Sequence, residues 1–136
     1  MALLGKGCMM AIASVFVLLA KTVAAAEPNM DLVFINCAPG KYGDLDPYAR
    51  AVEVSMNNII GHTGMQGGNW YNKATQGMAV CYGHGRCTMD ITVLDCSRCL
   101  MGVSVYMIQQ CKNSRGVHCK VRSCEFRYEE YAFDDG

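Results

Sequence analysis

Cys87, Cys96 and Cys99 stand at the spacing C-x8-C-x2-C, the last two opening an apolar helical run. Thiols grouped this way can do three kinds of chemistry. As thiolates they ligate a soft metal, in pairs they form disulfides, and a single activated thiolate is a nucleophile. A zinc ribbon wants two C-x2-C pairs, and Cys96-Ser97-Arg98-Cys99 is the only one in the chain. The choice among the three rests on the redox compartment, which the start of the chain addresses.

Lys6 precedes a thirteen-residue apolar region, Cys8 to Ala20, which is short for a membrane span. Lys21 interrupts it, and Ala24-Ala25-Ala26 supplies small residues for a signal peptidase. The pattern predicts a signal peptide over residues 1–26, cleaved after Ala26, and a secreted product, residues 27–136, in the extracellular space. Of nine cysteines, only Cys8 is then lost. Eight in a small secreted domain predict four disulfides, with 105 pairings open. Fully bridged, they leave no thiolate nucleophile. Without Lys6 and Lys21, ten basic residues face twelve acidic ones, a net charge of −2. That balance argues against nucleic acid and against an anionic membrane surface as partners.

The cysteines need elements to hold them. Asp31–Cys37 is a β-branched and aromatic run, apolar on both faces, and predicts a covered strand closed by Ala38-Pro39-Gly40. Asp46 as N-cap and Pro47 at the first position predict a helix over 47–60, stopped by Gly61. Tyr48, Val52, Met56 and Ile59 form its buried face. Gly61 to Gly68 reads as a mobile turn. Trp70–Thr75 and Gly77–Gly83 predict a hairpin, with Trp70 as its core anchor. A second helix starts near Thr92 and puts Cys96, Leu100, Val103 and Met107 on one face, where the cysteines can bolt it to strands. Val117, Cys119 and Val121 alternate with polar residues. The phase slips after Cys124, which predicts a bulge near Ser123, and Asp134-Asp135-Gly136 reads as a frayed tail. The fold class is α+β, with both helices on one face of an antiparallel sheet.

Val80-Cys81-Tyr82-Gly83, the C-x8-C-x2-C run, Cys111 and Cys124-x3-Tyr128-Glu129 together resemble the plant stress-antifungal domain, the ginkbilobin-like family. The resemblance runs from about Val33 to Phe133. It implies a five-stranded antiparallel sheet with two helices, stapled by Cys37–Cys111, Cys87–Cys96 and Cys99–Cys124. Cys81 and Cys119 fall outside that framework, each on an expected strand, and we expect them to form a fourth bridge.

The same resemblance implies a single-domain, defence-related antifungal-type protein, and a lectin that binds mannose. Its sugar site would use an asparagine after the first framework cysteine, an arginine shortly before the last, and a glutamate after the terminal tyrosine. Ala38, His118 and Glu129 hold those places here. Glu129 and His118 are therefore the candidate carbohydrate-binding residues of a degraded site, with mannose-containing glycans of fungal cell walls as the implied partner. The alternative is an apoplastic interaction module that binds an extracellular protein, through a patch of Arg122, Arg127, Tyr128 and Tyr131. An enzyme is not expected: the chain has no G-x-S-x-G and no H-E-x-x-H, and His62, His84 and His118 have no evident catalytic partner. No cofactor, metal site or N-glycosylation sequon is expected.

Overall fold

The computed structural model describes residues 27–136, so the expected signal peptide and its cleavage point lie outside the described residues. The chain runs β1 (Leu32–Cys37), α1 (Pro47–His62), β2 (Asn69–Gln76), β3 (Ala79–Cys87), α2 (Val93–Gln110), β4 (Val117–Val121) and β5 (Cys124–Glu129). The strands form one antiparallel sheet in the order β1-β4-β5-β3-β2. Both helices lie on one face of it, as the α+β reading requires.

Each helix starts where its cap predicts. The Asp46 carboxylate accepts the Tyr48 N–H at 2.9 Å, with Pro47 in the first turn. Thr92 Oγ1 accepts the Asp95 N–H at 3.1 Å. α1 does not stop at Gly61, however. It continues to His62 and closes at Thr63, whose N–H and hydroxyl both donate to the Ile59 carbonyl, at 3.1 and 2.7 Å. The intrahelical bond outweighs the modest helix penalty of glycine.

Tyr48, Ala51, Val52, Met56 and Ile59 of α1 meet Leu100, Val103 and Met107 of α2 over Val117, Val121, Phe126 and Tyr128 of the sheet, all buried. α1 approaches β3 closely because Gly83 and Gly85 carry no side chain. A Cβ at Gly85 would stand 2.5 Å from Ile59 Cγ2 and 2.6 Å from Thr63 Oγ1. Trp70 packs beside this core and donates its indole N–H to Asn58 Oδ1 at 2.9 Å, so it anchors the hairpin to α1.

The three framework disulfides are present: Cys37–Cys111, Cys87–Cys96 and Cys99–Cys124, with Cα separations of 5.4, 5.7 and 6.1 Å. Two of them tie α2 into the sheet-bearing chain, and the first ties the end of β1 to the end of α2. The fourth expected bridge is absent: Cys81 and Cys119 are buried free thiols. The register explains why. Cys119 and Gly85 both pair with Phe126 of β5, so Cys119 lies across an intervening strand and four residues along from Cys81. Four strand residues alone span roughly 13 Å, beyond the reach of about 7 Å between bridged Cα atoms.

Three further expectations change. β1 is an edge strand with exposed Leu32 and Val33, not a covered one. The phase slip after Val121 is a tight turn at Arg122-Ser123 separating two paired strands, not a bulge within one. The residues after β5 are not frayed: they fold back over the sheet.

Candidate functional site

Strand alternation gives the sheet a second face, turned away from the helices. His118, Arg127 and His84 stand side by side on it across β4, β5 and β3. Lys120, Glu125 and Arg86 form the next row. Tyr71 of β2 pairs with His84 and stacks on its ring at a centroid distance of 4.0 Å and 9°.

These groups are paired with one another. His118 Nε2 lies 2.6 Å from Glu125 Oε1, and Phe34 meets the His118 ring edge-to-face at 4.9 Å. Arg127 donates from Nε to Glu129 Oε1 at 3.2 Å and from Nη1 to Asp135 Oδ1 at 2.5 Å. His84 Nδ1 contacts the other Asp135 oxygen at 2.8 Å, and its Nε2 faces the Asn69 amide at 2.6 Å. Desolvation works to raise the Asp135 carboxyl, but hydrogen bonds from His84 and Arg127 outweigh it and hold the group below the ordinary aspartate range. Burial lowers His84, against the opposing pull of Asp135.

The segment after β5 completes the face. Tyr71 donates its hydroxyl to Asp134 Oδ1 at 3.2 Å and accepts the Asp135 N–H at 3.0 Å. Arg86 donates to the Gly136 carbonyl at 2.5 Å. The Phe133 ring lies 4.1 Å from the Arg127 guanidinium carbon. His118, Glu125 and Asp135 bring possible ligand atoms within 4.8 Å of one another. Arg127 on Asp135 and Lys120, 4.0 Å from Glu125, already balance that charge, so the cluster has no negative field to draw in a cation.

The structure thus places both predicted carbohydrate residues, Glu129 and His118, on this open face, but with different partners. The Glu129 carboxylate lies over Gly116, where any Cβ would overlap it. Ala38 sits beside the same point, its N–H donating to the Gly116 carbonyl at 2.8 Å. Of the patch of Arg122, Arg127, Tyr128 and Tyr131, only Arg127 and Tyr131 meet, Arg127 donating to the Tyr131 hydroxyl at 3.4 Å. Tyr128 faces the helices and donates to the Ser114 carbonyl at 2.8 Å, while Arg122 sits in the exposed β4–β5 turn. His84 and Asp135 were not among the predicted site residues. The polar alternation of Tyr82, His84 and Arg86 against Glu125, Arg127 and Glu129 was the signal for a shared face.

A second surface lies on α2, where Leu94, Met101, Val105 and Ile108 are 59, 55, 49 and 60% exposed. Their spacing puts them in one stripe, opposite the buried Cys96, Leu100, Val103 and Met107. Among the described residues, no helix is long and apolar enough to cross a membrane.

Comparison with known proteins places this architecture. The chain is 38% identical over 52 residues to Cysteine-rich repeat secretory protein 18 of Arabidopsis thaliana, a match covering 38% of this chain and 19% of that protein. It is 44% identical over 48 residues to Cysteine-rich receptor-like protein kinase 25 of the same plant, covering 35% of this chain and 7% of the kinase. It therefore spans a minor part of the length of the curated relatives it matches. The tandem DUF26 ectodomains of the A. thaliana cysteine-rich receptor-like proteins PDLP5 and PDLP8 share its fold, with TM-scores of 0.69 and 0.70 at 19% identity. Each match covers 76% of this chain and about half of the other. The model of the salt stress response/antifungal family matches residues 36–131, nearly all of the described chain, and this chain belongs to that family.

Proposed function

We propose that this chain is an extracellular, defence-related recognition domain, non-catalytic, whose inherited mannose position is degraded. The observation that carries this reading is the state of the three positions. Ala38 has no side-chain donor, His118 is taken by Glu125, and Glu129 is taken by Arg127. A sugar hydroxyl arriving there would have to break the Arg127–Glu129 ion pair and the His118–Glu125 contact. Secretion is supported by the pattern of residues 1–26, by the disulfide framework and by the names of the relatives. Titration calorimetry with mannose tests the reading, on wild type and on Ala38→Asn with His118→Arg. Each missing hydrogen bond is worth about 0.5–3 kcal/mol, so the double variant should bind one to several orders of magnitude tighter. Wild-type binding as tight as the variant's would sink it.

The α2 stripe favours a second reading, a protein-interaction module. Exposed apolar side chains aligned on one helix face are a recurring partner surface. Met101→Glu with Ile108→Glu should then abolish capture of an extracellular protein that a flat glycan array leaves unexplained.

A further inference from the structure

The segment Tyr131–Gly136 has no helix or strand of its own, yet its position on the open face is set by specific contacts. Asp135 is held by Arg127 and His84 at once. Its backbone N–H meets the Tyr71 hydroxyl, Phe133 lies against the Arg127 guanidinium, and Arg86 takes the Gly136 carbonyl. A charged pair, a backbone bond and an aromatic contact on one short peptide are what a peptide-binding surface offers a ligand. The walls of the site are also held by contacts that do not involve the segment: His84 is stacked under Tyr71 and contacts the Asn69 amide, and Arg127 is braced by Glu129.

We propose that the open face of the sheet is a binding site for an acidic peptide segment of the form aromatic-x-Asp on a partner protein, and that residues Phe133 to Asp135 occupy it in cis. With the segment lifted away, Arg86, Arg127 and Lys120 outweigh Glu125 and Glu129, so the bare face attracts negative charge. Tyr131, Ala132 and Asp134 remain exposed in the closed form. A segment that buries so little opens at the low end of the local-unfolding scale. In cis it competes at an effective concentration of about millimolar. A partner peptide must outbid that, which makes the segment a gate on the site. The inference goes beyond the mannose reading and is independent of its outcome.

The test uses a fluorescent peptide of sequence Tyr-Ala-Phe-Asp-Asp-Gly and the same peptide with both aspartates changed to asparagine. Binding is measured by anisotropy on wild type and on Phe133→Ala with Asp135→Asn, which frees the site without touching its walls. Retention of three disulfides and of the wild-type melting cooperativity certifies the variant as folded. The acidic peptide should bind the variant at least tenfold tighter than wild type, and the asparagine peptide should bind neither. Equal affinity of the acidic peptide for wild type and variant overturns the cis occupancy. Equal affinity of the two peptides for the variant overturns carboxylate recognition. A wild-type dimer that the double variant loses would make a second copy the occupant, and would overturn the assignment to a foreign partner.

Discussion

The two faces of this sheet are held by different forces. Toward the helices, Phe126, Val117 and Ile59 interlock without exposure, Gly83 and Gly85 admit α1, and disulfides pin α2. Away from them, the layer is the ion pairs of Arg127, two histidines on carboxylates and a folded-back peptide. Apolar burial and covalent links are insensitive to pH and to competing ligands, whereas paired charges depend on the protonation of both partners and can be exchanged for those of a ligand. The covered face therefore carries stability, and the open face is free to carry recognition. Changes on the first should cost folding and spare binding, and changes on the second should do the reverse.

The largest effect that comparison predicts is loss of a staple. Cys99→Ala unties α2 from β5 and leaves Cys124 buried without its partner. Removing such a bridge from a small secreted domain costs about 2–5 kcal/mol, and chemical denaturation should show it as a lower midpoint. Next is Gly85→Ala. Its new methyl meets Ile59 and Thr63, and overpacking of this kind costs roughly 1–3 kcal/mol. The binding of acidic peptide by an opened variant should survive that change. A third test reads how well the core is sealed. Burial pushes Cys81 and Cys119 up to about 11, and both are 0% exposed. Alkylation of the native protein at neutral pH should label neither, and alkylation after unfolding without reductant should label two. No labelling after unfolding would mean that the two thiols are bridged after all.

The covered face was the legible one. Helical spacing named Tyr48, Val52, Met56, Ile59, Leu100, Val103 and Met107, all of which are buried, because amphipathic periodicity records burial directly. The caps at Asp46 and Thr92 were equally readable, being local chemistry. Strand order was not. The Cys81–Cys119 expectation failed because both residues sit on strands, and only the register shows β5 between them. The open face failed for a related reason. His84 is far in sequence from Arg127 and Asp135, and nothing local in Asp134-Asp135-Gly136 distinguishes an acidic tail that docks from one that frays.

The smallest effect concerns acid. His84 binds its proton less readily in the folded protein because it is buried, with Arg86 adding repulsion and Asp135 and Glu125 opposing. The unfolded state therefore takes up that proton first. The His84 contribution to the stability of the folded domain is complete above about pH 6.5, the ordinary histidine value, and declines as pH falls below it. Asp135 acts in the same direction at lower pH. Its carboxyl is held below the ordinary range, so its contribution is present above about pH 3.9 and is lost as pH falls through the folded value. Each unit of difference between the folded and unfolded pKa is worth about 1.4 kcal/mol. The rest of the domain should keep its disulfides and core throughout. The Asp135 amide and Tyr71 ring signals report closure directly, since the Asp135 N–H is bonded to the Tyr71 hydroxyl. Followed by NMR from pH 8 to 3, they should move in two steps while amides of α2 stay fixed. His84→Gln should remove the upper step and keep the lower. A single step in wild type, or α2 amides that move with the segment, would mean that the two faces are not energetically separate.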